Sequence, residues 1–207
     1  MKLYGFGPTR ALRVQWMLQE LDLDFEYVEV DPTKGEHRRP EFLALNPAGK
    51  IPVLVDDDLV LNESIAIVLY LAEKYPKKGF LPADLRARAD MYRWLFFTAT
   101  ELEQPIWRIA RHTHQYPVEK RLPAEIPLAR QDFLDMAAVM EKHLETHPVL
   151  VGQTVTIADF IAAYTLDMAS MVDLLGALPN LGAYMERMYA RPKAPPRIAQ
   201  AFASLNR

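Results

Sequence analysis

Hydrophobic and polar positions change rhythm partway along the chain. Lys2-Leu3-Tyr4-Gly5-Phe6 reads as a short strand ended by Gly7-Pro8. Ala11, Val14, Leu18 and Leu21 then recur at helical spacing, which predicts an amphipathic helix. Phe25-Glu26-Tyr27-Val28-Glu29-Val30 alternates with period two and predicts a second strand, completing a βαβ unit. After a polar stretch from Asp31 to Glu41, Phe42-Leu43-Ala44-Leu45 leads into Asn46-Pro47. The apolar runs Ile51-Pro52-Val53-Leu54-Val55 and Leu59-Val60-Leu61, joined by three aspartates, predict a hairpin. Asn62 is placed to cap a helix running from Glu63 towards Tyr75, stopped by Pro76.

Beyond Pro76-Lys77-Lys78-Gly79, read as a linker, the pattern is helical throughout. Residues 84–114, 122–147, 156–172 and 180–190 carry helical periodicity with prolines between them. The tail Arg191-Pro192-Lys193-Ala194-Pro195-Pro196 cannot be helical. The expected organisation is an α/β domain over residues 1–76 and an all-helical domain over residues 84–207.

Composition narrows the function classes. Half of the 207 residues are apolar and a quarter are charged, as in ordinary globular chains. A net charge of -3 argues against a dedicated nucleic-acid binder. Cysteine is absent, which excludes disulfides, zinc-thiolate sites and a cysteine nucleophile of the protein's own. There is no secretory-type leader at the start and no apolar run long enough to span a membrane, so a cytoplasmic protein is expected.

Candidate chemistry clusters in the first half. Proline at the start of the Ile51–Val55 run removes a backbone donor, so an edge location or a cis bond is expected, with an ordinary tight turn as the alternative. A cis bond would turn the backbone of Ile51 outward, where an extended peptide can pair with it. Asn62-Glu63-Ser64 opens a helix whose free N–H groups favour an anion. Ser64 can bond a carboxylate and Glu63 an ammonium, which together suit a zwitterionic amino-acid end; plain capping is the bland reading. Thr156-Ile157-Ala158-Asp159-Phe160 reads as structure: a capping box, with Val155 and Phe160 placed as a hydrophobic staple. His143 and His147 stand four apart, but a ring at a helix end complements carbonyls without any metal.

Taken in order, Lys2-Leu3-Tyr4 with a helix opening near Thr9, Asn46-Pro47-Ala48-Gly49-Lys50-Ile51-Pro52, Asn62-Glu63-Ser64 and Thr156-Ile157-Ala158-Asp159-Phe160 resemble the cytosolic glutathione transferase family over nearly the whole chain. The resemblance implies an α+β protein with an N-terminal thioredoxin-like domain and an all-helical C-terminal domain lining the electrophile site. It implies glutathione as co-substrate with no other cofactor and no metal, a small apolar electrophile, no nucleic-acid or membrane partner, and a homodimer. By resemblance Ile51 beside Pro52 meets the cysteinyl backbone, Glu63 and Ser64 hold the γ-glutamyl end, and Lys50 and His37 approach the glycyl carboxylate.

The implied reaction joins the glutathione thiolate to electrophiles, with glutathione-dependent peroxide reduction as a further activity. A non-catalytic glutathione-binding module of the same fold is the alternative. Where family members carry a tyrosine, serine or cysteine at the start of the first helix, this chain has Phe6-Gly7-Pro8-Thr9-Arg10-Ala11. Thr9 is therefore the first candidate for activating the thiol, Arg10 the second and Tyr4 the third.

Overall fold

The computed structural model describes residues 1–205. Its contacts divide into two compact units, Met1–Leu81 together with the chain from Tyr189 onward, and Pro82–Met188.

The first unit is built on a four-stranded sheet in the order β2-β1-β3-β4. Strand β1 (Lys2–Gly5) runs parallel to β2 (Glu26–Glu29), joined through helix α1 (Ala11–Glu20). Leu3 of β1 pairs with Leu54 of β3 (Val53–Asp56), and both are fully buried. Strand β4 (Leu59–Asn62) closes the predicted hairpin through Asp57-Asp58, with Asp57 at φ 54°, a left-handed conformation that aspartate tolerates. Helix α2 (Pro40–Leu45) starts on a proline, whose missing N–H costs nothing in a first turn. Helix α3 (Ser64–Lys74) follows β4 directly. This is the thioredoxin-like arrangement expected.

Two of the expected features differ in the structure. Asn62 caps nothing: it is the last residue of β4, paired with Val53, and Glu63 occupies the N-cap position with no side-chain cap bond. Nor is α1 amphipathic in the usual sense. Ala11, Leu12, Arg13, Val14, Trp16, Met17, Leu18 and Glu20 are all buried, so the helix is enclosed nearly all round. The C-terminal tail explains part of that. Arg191 forks onto Glu20 at 2.6 and 2.7 Å, and Trp16 Nε1 donates to the same carboxylate at 3.2 Å.

The second unit is helical: α4 (Leu85–Phe97), α5 (Glu103–Ala110), α6 (Glu125–Leu144), α7 (Ile157–Ser170) and most of α8 (Pro179–Tyr189). A π-helical turn, Thr98–Leu102, separates α4 from α5 just before Pro105, which has no N–H to give a regular ladder. Helix α6 buries a stripe of Ala129, Phe133, Ala137, Met140 and Leu144. A ninth helix, α9 (Ile198–Leu205), follows the proline-rich tail and packs in the first unit, where Ala201 lies against Gly7. No helix among the described residues is long and apolar enough to cross a membrane.

The capping box at the start of α7 is present. Asp159 Oδ2 accepts from Thr156 N at 2.7 Å and from the Thr156 hydroxyl at 3.1 Å. Its other oxygen accepts from Leu150 N at 2.9 Å and from the Tyr184 hydroxyl at 2.7 Å. A cap thus becomes a four-donor junction joining α7, α8 and the loop after α6, with Asp159 wholly inaccessible to solvent. Asp159→Ala strands these buried donors and should cost about 3 kcal/mol or more, measured by urea unfolding. Asp159→Asn keeps one acceptor oxygen and should lose less; equal losses would show that the hydrogen bonds do not set the effect.

Candidate functional site

Register brings the candidate residues to one end of the sheet. Tyr4 faces Val53, and Val53 faces Asn62, so the C-terminal ends of β1 and β4 and the start of β3 lie together. From that end spring the Phe6–Arg10 turn into α1, the Asn46–Pro52 loop, and Glu63-Ser64 at the head of α3. Gly5 permits the close seating of α1: a Cβ there would stand 2.5 Å from the Ala11 Cβ and 2.8 Å from the Tyr27 hydroxyl.

The Ile51–Pro52 bond is cis. Because β3 lies between β1 and β4, the alternative of an edge strand does not apply. Pro52 is buried, while Ile51 is half-buried against the Val30, Phe42 and Val53 cluster. Asn46, buried itself, braces the loop: its Nδ2 donates to the Lys50 carbonyl at 2.7 Å, and its Oδ1 accepts from Ala48 N at 3.1 Å and Asn62 Nδ2 at 3.5 Å.

Gly49, at φ 60°, lies so close to the neighbouring chain that a Cβ would stand 2.9 Å from both the His37 carbonyl oxygen and Arg38 Nη1. This contact draws His37 to the loop that carries Lys50. Burial, then the charges of Arg38 and Lys50, hold the His37 ring below its ordinary pKa of 6.5. Its Nδ1 is buried with no hydrogen-bond partner among the described residues.

Glu63 sits at φ 69°, in the left-handed half of backbone space, at the sharp passage from β4 into α3. Such conformations in non-glycine residues cost on the order of 1–3 kcal/mol and concentrate at functional sites. Ser64 follows as the first helical residue, buried, with no side-chain cap upstream, leaving the leading N–H groups of α3 without a capping side chain. Its Oγ accepts from Nη1 of Arg13 at 3.3 Å. Arg13 is 1% exposed and was not anticipated from the sequence. The signal available was a charge in the first turn of a helix flanked by apolar residues on both sides.

The three candidates for thiol activation differ in their commitments. The Thr9 hydroxyl donates to the Phe6 carbonyl at 2.6 Å and accepts from Ala11 N at 3.3 Å, so it shapes the turn into α1. Arg10, half-buried, is the N-cap residue of α1. Tyr4 packs its ring 6.4 Å from that of Phe42 and belongs to the apolar cluster around Val53.

Comparison with known proteins matches this architecture. Residues 1–73 match the family model "Glutathione S-transferase, N-terminal domain", and residues 106–192 match "Glutathione S-transferase, C-terminal domain". The chain is 38% identical to a protein named glutathione S-transferase 1 of Dianthus caryophyllus, over 92% of this chain and 90% of that one. Its structure superposes on that of glutathione transferase F7 from Populus trichocarpa with a TM-score of 0.82 at 30% identity, covering 97% of this chain and 98% of the other. The glutathione transferase URE2P6 of Phanerochaete chrysosporium, solved in complex with oxidized glutathione, gives a TM-score of 0.84 at 28% identity, covering 98% and 94%.

The environment of His37 sets a pH expectation. Its folded pKa lies below the ordinary value, so the folded chain binds fewer protons there than the unfolded one near pH 6.5. Its contribution to stability is complete above the ordinary value and declines as pH falls through it. A ring-proton NMR titration should show a midpoint below 6.5. Arg38→Gln, which removes the like charge that acts most on the ring, should raise it; a midpoint above the ordinary value would contradict the desolvation and like charges around it.

Proposed function

The chain belongs to the glutathione S-transferase family, and from that premise we propose that it activates the thiol of glutathione at the first turn of α1 and joins it to small apolar electrophiles. The observation that carries the reading is the convergence of Ile51-Pro52, Glu63-Ser64, His37, Lys50 and the Phe6–Arg10 turn at one end of the sheet. In this reading the Ile51 backbone pairs with the cysteinyl residue. Ser64 and the first turn of α3 receive the γ-glutamyl carboxylate, and Glu63 meets the ammonium. Lys50 and a neutral His37 face the glycyl carboxylate, the lysine by charge and the imidazole by a donated hydrogen bond.

The thiol of glutathione, like free cysteine, titrates near about 8.5 and is mostly protonated at neutral pH. Lowering it by about two units requires about 2.7 kcal/mol of preference for the thiolate. Thr9 must release its proton from the Phe6 carbonyl to donate to sulfur, giving up a neutral bond worth about 1 kcal/mol. A bond to an anion is roughly twice as strong, so the exchange is favourable once the thiolate has formed. The N-terminus of α1 and the Arg10 guanidinium supply the remainder by charge. In conjugation the thiolate forms a sulfur–carbon bond while a halide or similar group departs with its electron pair. In peroxide reduction two glutathione thiols are oxidised to the disulfide as the O–O bond is cleaved to alcohol and water.

We assign glutathione binding to residues 1–76 and electrophile binding to helices within residues 84–207, although the chain from Tyr189 belongs to the first compact unit. The working form is a cytoplasmic homodimer with an isologous interface; sedimentation should return twice the mass of one chain, and a monomer would refute that assembly.

The activation scheme is tested by the pH dependence of thiolate absorbance in glutathione bound to Thr9→Ala, Thr9→Ser, Arg10→Ala and Tyr4→Phe. Thr9→Ala should raise the bound pKa and slow turnover of an aryl halide without abolishing binding, and Thr9→Ser should retain both. An unchanged titration in Thr9→Ala removes the hydroxyl from the scheme; a shift in Arg10→Ala alone assigns activation to charge. By calorimetry Ser64→Ala and Glu63→Gln should each weaken glutathione binding by roughly 1.5–3 kcal/mol, the worth of a hydrogen bond to a charged group.

A further inference from the structure

Resting on the assignment of Ser64 to the γ-glutamyl carboxylate, we infer that Arg13 is a positioning residue that fixes the Ser64 hydroxyl as a donor and thereby makes this subsite select an anion. The inference starts from one bond. Nη1 of Arg13 reaches Ser64 Oγ at 3.3 Å from the first turns of α1, 51 positions away in sequence. A guanidinium has donors and no acceptor, so the serine oxygen must be the acceptor in that bond. The hydroxyl has a single proton, which is then left to be donated elsewhere. Among the described residues the only hydrogen bond at Ser64 Oγ is the one from Arg13.

The polarity that results is one-sided. A serine without such a neighbour rotates to donate or accept as its ligand requires. Ser64, with one of its two lone pairs taken by a cationic donor, is biased to offer its proton outward. The leading N–H groups of α3, uncapped by any side chain, point the same sense of charge at the same place. Polarisation by the guanidinium strengthens the hydroxyl as a donor, because hydrogen bonds in a chain reinforce one another. The amine of the same amino-acid end is consequently directed away from Ser64 and towards Glu63, the neighbouring carboxylate.

Burial gives this arrangement its permanence. Arg13 is 1% exposed and Ser64 4% exposed, so neither side chain is free to swing into water, and the charge acts through a region of low dielectric. An exposed arginine would be screened and mobile, and would contribute little orientation.

The test compares glutathione with an analogue in which a 4-aminobutyryl group replaces the γ-glutamyl residue, removing only the α-carboxylate. Calorimetry on the full chain gives the ratio of the two affinities. Arg13→Met should weaken glutathione binding about tenfold while leaving the analogue unchanged, and in a Ser64→Ala background the same substitution should add nothing for either ligand. Arg13→Lys keeps the charge and a donor but loses the planar fork; it should reduce the ratio by about threefold, a smaller loss than in Arg13→Met. It also keeps the test alive if Arg13→Met fails to fold, which thermal melting reports. Equal weakening of both ligands by either variant, or a full effect persisting in Ser64→Ala, would reduce Arg13 to a packing role and overturn the inference. If Ser64→Ala itself binds glutathione like the parent, the carboxylate lies elsewhere; that result rejects the site assignment, and the inference with it, and is distinct from a failure of Arg13 alone.

Discussion

Helix α1 is enclosed on nearly every side, and the charges it carries must therefore be met within the protein. An unmet charge in such a place costs several kcal/mol, enough to consume much of a domain's stability. Glu20, at its C-terminal end, is met by a bidentate arginine and an indole N–H. Arg13, near the other end, donates to the serine that opens α3. One end of the helix thus secures the C-terminal tail against the first unit, and the other fixes a polar group of the proposed glutathione site. The tail is held again where Lys193 and Lys78 both pair with Asp22, the left-handed residue just beyond α1.

The rest of the site is mostly backbone geometry enforced by small polar braces. Asn46 ties the Lys50 carbonyl, Ala48 and Asn62 together, so the loop before β3 and the end of β4 hold one another in place. Gly49 admits the close contact with His37 and Arg38 that any side chain would prevent. Glu63 accepts a strained backbone so that α3 can begin directly at the end of its strand. On the proposed reading these features supply preorganisation, because the loop before β3 and the start of α3 are already ordered when a peptide arrives.

How much of the fold the sequence discloses follows from how local each cause is. The β1–α1–β2 unit, the hairpin and the helical second half rest on short-range periodicity and were legible. So was the capping box, because Thr156 and Asp159 are three residues apart. The further partners of Asp159 were not, since Tyr184 arrives from 25 positions away. Asparagine at position 62 suits a cap locally, whereas cross-strand pairing with Val53 decides its place. The enclosure of α1 was hidden for the same reason: Arg13 and Glu20 look like a solvent face until Ser64 and Arg191 are brought to them from 51 and 171 positions away. Helix α9 follows three prolines of the tail and offers only eight residues of pattern, too few to stand out from its surroundings.

A chain without cysteine must borrow its reactive sulfur, and that constrains where binding energy is most useful. On the proposed reading, the protein grips the two charged ends of glutathione and the backbone between them, leaving the thiol to be placed rather than grasped. Strong contacts remote from the reacting atom hold it in one position, converting an encounter in solution into a step within one complex. The activating group can then be weak. A threonine hydroxyl already committed to a carbonyl offers the neutral thiol little, because taking it up would exchange one ordinary hydrogen bond for another. The thiolate offers a stronger bond and draws the proton across. In the proposed scheme the same hydroxyl stabilises the turn before the thiol ionises and the anion afterwards. Its preference between the two is set by charge on sulfur, the quantity that distinguishes the reactive form of glutathione from the resting one.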